Sequence, residues 1–294
     1  MSSKNPAIPE IVGGGEPGHP GRFVMPLLLV VLLFAHGALS ADVTITKLAN
    51  EGIVISDGQH RVMIDGLVVE PYAVYGGLPP EDVPLFDRLE GPYKGIDIAL
   101  ASHRHHEHNQ PEFACQFLRR STATRFYSSS QVIDLMREKC RKLVTSSSRI
   151  ITIAPDYDHP FVLDEPWLKL TVFPLSHGTR KYAKIQNNGH LVEMGGVKIL
   201  HVGDAAMDPA DFERAGLQDI RLDVALIPFL YFQPGPGEDL VQRYLNAPTK
   251  IAVHIPPGEL AEVKAYMSER FPDVLILEKP LETVRVSASA PPAR

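Results

Sequence analysis

Cysteine is scarce: the 294 residues hold only Cys115 and Cys140. Two are too few for a disulfide framework, and their spacing excludes a Cys-x-x-Cys metal or redox motif. One disulfide between them and two buried thiols are both compatible with the sequence. No run of lysine and arginine and no basic patch interleaved with aromatics occurs, and the formal net charge is -6. Neither nucleic acid nor acidic lipid is therefore expected as a partner. No short internal repeat is visible. No apolar run reaches the roughly 20 residues of a membrane-spanning helix; residues 23–35 come closest, with Pro26 interrupting them. What is present is 44% hydrophobic and 22% charged residues, enough for one large domain or two small ones.

The first 22 residues are rich in glycine, proline and small polar residues and are expected to be disordered. The apolar stretch 23–35 and the small-x-small pair Ala38 and Ser40 that follows it read as a secretory signal. Residues 1–41 are thus expected to be a signal peptide and leader, with export to the periplasm or beyond. An uncleaved membrane anchor, or a translation start near Met25, are the alternatives. A globular domain is expected over 42–282, and a flexible tail over 283–294.

From residue 43 the pattern turns to short strands: 43–48, 53–56 and 61–66, with Asp57-Gly58 as a hairpin turn. Residues 67–95 carry many prolines and glycines and read as a long functional or lid-like excursion. Strand and helix patterns then alternate. Asn109 is placed to cap a helix beginning near Pro111, and helices are expected at 131–140, 208–215, 238–245 and 258–271. The order of strands followed by β–α units occurs twice, over about 43–165 and 166–280. Two similar halves packed face to face, with helices outside, would suit it.

The chemistry concentrates at strand ends. After the buried strand pattern 96–100 comes His103-Arg104-His105-His106-Glu107-His108, a density of imidazole and carboxylate that suits zinc and similar metals. Three later strands end at His177, at Gly203-Asp204 and at His254. Strand C-termini gather at one edge of a layered sheet, where loops build sites. Two divalent cations sharing an oxygen would bring the pKa of a bridging water near neutrality and supply hydroxide as nucleophile. Asp204 is the expected bridge and orienter of that hydroxide. Glu107 is the expected proton acceptor if its hold on a metal is loose. Among the other histidines, His106 is expected to point away, His201 to support the site or lie in the core, and His190 is a candidate substrate contact. Arg180, Lys181 and Tyr182 are candidates for holding an anionic group, and residues 67–95 and 230–238 for lining a pocket.

The series His-x-His-x-Glu-His, then Ser-His-Gly, then Gly-Asp, then a late strand-end histidine resembles the metallo-β-lactamase fold superfamily over residues 43–280. The resemblance implies a four-layer αββα sandwich with two mixed β-sheets inside and metals at one edge. It implies His103, His105 and His177 on a first metal, Glu107, His108 and His254 on a second, and Asp204 bridging. Zinc is the first expectation for both, with iron or manganese as alternatives. The superfamily has aspartate where this chain has Glu107, whose arm is one methylene longer. A bridging aspartate resembles the thioesterase, lactonase and phosphodiesterase branches more than the antibiotic-cleaving one. The implied activity is hydrolysis of an ester-like bond in a small molecule. A single-iron oxidoreductase of the same fold and a non-catalytic metal-binding module are the rivals.

Overall fold

A computed structural model describes residues 42–178 and 180–288; the expected leader and residues 289–294 lie outside them. The chain first lays down an antiparallel meander, β1 (Val43–Lys47), β2 (Ile53–Ser56) and β3 (Arg61–Ile64). After the excursion, which contains α1 (Val83–Arg88), it adds parallel strands β4 (Ile98–Ala101), β5 (Arg125–Ser128) and β6 (Ile150–Thr152). The crossovers are α2 (Pro111–Arg120) and α3 (Ser130–Ser146). The pattern then repeats. β7 (Phe161–Glu165), β8 (Leu168–Pro174), β9 (Asn188–Met194) and β10 (Val197–His201) form a second meander. α4 (Pro209–Arg214) leads into parallel β11 (Val224–Pro228), β12 (Thr249–Val253) and β13 (Val274–Ile276), with α5 (Pro236–Tyr244) and α6 (Leu260–Arg270) between them. A last strand, β14 (Thr283–Val286), returns to the first sheet beside β1.

The result is two seven-stranded mixed sheets. Alternation along the strands gives each sheet two apolar faces. Ile45, Ile55, Leu170 and Val192 meet between the sheets. Phe117, Phe126 and Met136 pack the first sheet against α2 and α3. Phe212, Leu240 and Met267 pack the second against α4, α5 and α6. Three apolar layers bound by two sheets and two sets of helices are the expected αββα sandwich.

Three expectations need correction. The repeat divides before β7, not at 165, because β7 pairs with β8 as the edge of the second sheet. The tail expected from 283 begins as β14, whose Val284 and Val286 alternate inward while Thr283 and Arg285 face out. Asn109 does not cap α2: that position is Gln110, whose carboxamide accepts from the backbone N–H groups of Val69 and Glu70 and donates to the carbonyl of Glu70. Pro111 at the first helical position and Arg119 and Arg120 in the last turn set the ends of α2 by the usual N-terminal proline and dipole preferences. Cys115 on α2 and Cys140 on α3 form a disulfide with Cα atoms 6.1 Å apart.

Candidate metal centre

β4 is buried at all four positions and delivers His103 two residues past its end. β8, β10 and β12 bring His177, Asp204 and His254 to the same edge. Backbone contacts lock these loops together: Gly178 N–H donates to the Asp204 carbonyl at 3.1 Å, and Ala206 N–H to the Ser176 carbonyl at 2.6 Å. Gly203 is required where it stands. Its φ is +56°, and a Cβ there would lie 2.5 Å from Asn187 Oδ1. Asn187 in turn accepts from Asp204 N–H and donates to the carbonyls of Leu175 and Val202, joining two of the strand ends. His254 has a φ of +61°, a strained value for a residue with a Cβ and one that tends to mark functional sites.

The donor atoms fall into two sets. Nε2 of His103, Nδ1 of His105 and Nε2 of His177 lie 3.1, 3.2 and 3.3 Å from one another. Donors about 2.0–2.1 Å from a zinc-sized ion at tetrahedral corners sit about 3.3 Å apart, so the triangle matches one face of such a polyhedron. Asp204 Oδ2 adds a fourth donor, 3.7 Å from His103 and 3.5 Å from His177. In the second set, Nε2 of His108 and of His254 are 3.2 Å apart, with Asp204 Oδ1 at 3.4 and 3.3 Å from them. Glu107 converges with His108 and His254, and its buried Oε2 has no hydrogen-bond partner among the described residues. An orphaned carboxylate oxygen beside two imidazole nitrogens fits a cation better than it fits a packed protein interior. The longer arm of Glu107 therefore still reaches the second set.

Charge states suit this reading. Burial holds His103 well below its ordinary pKa, and holds His177 and His254 at about 4, against the opposing pull of Asp204. Burial also lowers His105. These four imidazoles are neutral at pH 7 and present lone pairs. Burial disfavours the charge on Asp204, but His108 and His254 outweigh it and hold the carboxyl well below the usual range. His108 is the exception: Asp204 and Asp65 overcome burial and hold its pKa well above the ordinary value, so an ion at its Nε2 would have to displace a proton.

Three carboxylate and amide groups that support the cluster were not singled out in the sequence: Asp65, Glu51 and Asn187. Asp65, just past β3, receives Ser102 N–H at 2.6 Å, the Ser102 hydroxyl at 2.5 Å and His108 Nδ1 at 2.8 Å. His103 Nδ1 donates to that same Ser102 hydroxyl at 3.0 Å. One carboxylate thus sets the tautomer of an imidazole in each set and leaves both Nε2 atoms bare for an ion. Glu51, in the turn between β1 and β2, is 1% exposed. Its Oε2 lies 3.4 Å from His108 Nδ1 and 3.6 Å from His201 Nε2. Burial raises its pKa well above the ordinary value despite His108. Asn50 beside it donates to the Glu107 carbonyl at 3.0 Å.

All seven expected ligands, His103, His105, Glu107, His108, His177, Asp204 and His254, are brought together. His106 points away and packs near Tyr72, while His201 is buried behind the cluster. His190 is not a substrate contact: it is wholly buried in β9 across from His201. Its neighbours in β9 alternate between the sheet faces, and its own face is the closed one. Beside the two sets opens a cavity of roughly 430 Å³, lined by Tyr75, Tyr182, Met207, Pro228, Leu230 and Tyr231 as well as the cluster itself. Lining residues were thus expected correctly at Tyr75 within 67–95 and at 230–231, while Tyr182, expected as an anion holder, is part of the wall. Residues 233–238 do not contribute, and the stretch 205–207 had not been foreseen.

The family model of the beta-lactamase superfamily domain matches residues 78–272. The chain belongs to the beta-lactamase superfamily. Its fold is the metallo-β-lactamase fold, and several solved structures resemble it over about 83% of the chain. An isothiocyanate hydrolase from Delia radicum gut bacteria is 17% identical with a TM-score of 0.58, over 83% of this chain and 100% of that one. Igni18, a metallo hydrolase from the archaeon Ignicoccus hospitalis, is 17% identical with a TM-score of 0.53, over 83% and 98%. CmlA, a diiron β-hydroxylase from Streptomyces venezuelae, is 13% identical with a TM-score of 0.51, over 83% and 54%. No curated protein matches the chain in sequence. At such identities the structural likeness speaks for the superfamily fold, which carries metal-dependent hydrolases and also oxidoreductases.

Proposed function

We propose that this chain is a binuclear hydrolase, zinc-loaded, that cleaves an ester-like bond: a lactone, thioester or phosphodiester. The observation that carries the reading is the placement of Asp204, with one carboxylate oxygen toward His103 and His177 and the other toward His108 and His254. Two divalent cations, when bound, bring the pKa of water near neutrality and polarise a scissile carbonyl or phosphoryl oxygen. His103, His105, His177 and Asp204 would hold one; Glu107, His108, His254 and Asp204 the other. Asp65 keeps the His103 and His108 rings in register with lone pairs inward. Glu107, which lines the cavity, would take up the proton released as the nucleophile forms if its hold on the second ion is loose. The apolar walls beside it limit competing water.

The rival readings gain less support. Glu107, His108 and His254 converge as a second set, which speaks against a single-iron centre and against a degraded, non-catalytic one. The test is hydrolysis of a panel of esters, lactones, thioesters and phosphodiesters by the metal-loaded protein. His103→Ala and Asp204→Ala are expected to abolish turnover while the far-ultraviolet circular dichroism stays unchanged. Undiminished activity in both variants would remove the proposal, and iron in one site with oxygen uptake would replace it.

Export is part of the same proposal. A disulfide between Cys115 and Cys140 supports an oxidising compartment. N-terminal sequencing of protein from the exported fraction is expected to begin at Ala41 or Asp42. Full-length protein confined to the cytosol would contradict it. No helix among the described residues is long and apolar enough to cross a membrane.

A further inference from the structure

We propose that the cavity beside the metal centre takes the aliphatic acyl chain of an uncharged carboxylic ester, an inference that rests on the hydrolase reading above. At roughly 430 Å³ the cavity lies within the range typical of small-molecule sites. Its titratable lining groups belong to the metal cluster or are tyrosines: His105, Glu107, His177, Asp204 and His254, with Tyr75, Tyr182 and Tyr231. The remaining wall is made by Gly178, Ala205, Ala206, Met207, Pro228 and Leu230. Tyr75 packs edge-on against His254 at 4.4 Å between ring centroids, and Tyr182 against His105 at 5.4 Å. Two aromatic rings therefore flank the place where a scissile bond would sit, and the space beyond it is apolar.

The apolar character continues to the surface. Five large hydrophobic side chains are exposed among the described residues: Tyr72 at 47%, Val74 at 62%, Val162 at 49%, Leu230 at 44% and Leu275 at 41%. One of the five lines this cavity, and two more lie beside a lining residue in sequence. Leu230 lines it, and Tyr72 and Val74 sit on the tight turn that carries Tyr75, closed by mutual backbone hydrogen bonds between Tyr72 and Tyr75 at 3.0 and 2.9 Å. Gly76 and Gly77 anchor that turn: a Cβ at Gly77 would lie 2.2 Å from the Val69 carbonyl oxygen, and one at Gly76 would lie 3.0 Å from Pro257. Leu230, half-exposed and part of the wall, carries the apolar lining out to solvent.

The wall away from the ions separates the ester classes. The two proposed cations would meet a phosphoryl oxygen as well as a carbonyl oxygen, so the difference lies in the rest of the lining, where a further anionic oxygen is usually held by lysine, arginine or paired backbone N–H groups. No lysine or arginine is among the described lining residues, and Lys181, an expected anion holder, is exposed with its ammonium 5.0 Å from the Tyr182 ring centroid. The side chain of Arg180 lies outside the described set. In the proposed reaction water adds to the acyl carbon, the bond from that carbon to the ester oxygen breaks, and the alkoxide leaves with a proton. The products are the carboxylic acid and the alcohol, with no oxidant or reductant required.

The test compares 4-nitrophenyl acetate, butyrate, hexanoate and octanoate with bis(4-nitrophenyl) phosphate on the metal-loaded full chain. In parallel, straight-chain alkyl hydroxamates of the same lengths are titrated by calorimetry, which reads the cavity whether or not any ester turns over. Both kcat/KM and hydroxamate affinity are expected to rise about fourfold per added methylene until the cavity is filled. Met207→Ser and Leu230→Ser, both in the wall, should flatten that slope, while Leu275→Ser, remote on β13, should leave it intact. A flat hydroxamate series, or a diester preferred over every acyl ester, overturns the inference. A rising hydroxamate series without hydrolysis of any substrate would sustain the acyl pocket and remove the hydrolase reading instead.

Discussion

Asp65 illustrates how much a single side chain governs. Through Ser102 and His108 it fixes one imidazole in each donor set, so its effect would reach both proposed ions. Asp65→Asn is expected to weaken metal affinity about 10- to 100-fold at both positions, read by competition with a chromogenic chelator. A loss confined to one ion would contradict the shared role. Glu107 acts on one set alone. Glu107→Gln keeps the length and removes the charge, and should leave about one metal equivalent per chain. Glu107→Asp, the superfamily's own residue, should keep both; loss of the second ion in Glu107→Asp would mean that the loop held by Asn50 requires the longer arm. The convergence of the seven candidate ligands was legible in the sequence because their residue types are rare at strand ends and recur there in order. Glu51 and Asp65 were not. A carboxylate in a hairpin turn or just after a strand ordinarily faces water, and only the closing of one sheet over the other buries these two.

Among the elements, α4 and the His177 loop are tied by Asp211. Its carboxylate accepts from Ser176 N–H at 3.0 Å, the Tyr157 hydroxyl at 2.6 Å and Arg214 at 2.8 Å. Burial raises the pKa of this carboxyl, but those hydrogen bonds outweigh burial and set it below the ordinary value. A depressed folded-state pKa contributes stability that is complete above the unfolded value and drains away as pH falls through the folded one. Asp211→Asn is therefore expected to cost about 1.5–3 kcal/mol at pH 7, and the deficit should shrink toward pH 3 in paired urea titrations. A deficit that is constant with pH would assign the loss to packing. The Cys115–Cys140 disulfide pins α2 to α3 across a separation of 25 residues. Replacing both cysteines by serine should cost about 3 kcal/mol by loop-closure entropy, with metal content unchanged, since neither helix supplies a ligand.

Over the whole molecule, the repetition of meander and α/β half is what makes the site. Each half sends parallel strands to the same edge, and two sheets packed on one apolar layer place those edges face to face. The sandwich was legible because hydrophobic alternation and strand order were written twice in the chain. The join between halves was read too late, since β7 is half-exposed and has the polar alternation of an edge strand. β14 was missed because Thr-Val-Arg-Val in a small, polar tail carries no signal until β1 offers it an edge. The cavity was only partly legible, because its walls come from four separate loops that meet only in the fold. The central claim is that this shared edge grips two cations through Asp204. Elemental analysis of the purified full chain and of His177→Ala and His254→Ala tests it directly. Two equivalents in the native chain and about one in each variant are predicted; no metal above background, or two equivalents retained in both variants, would contradict it.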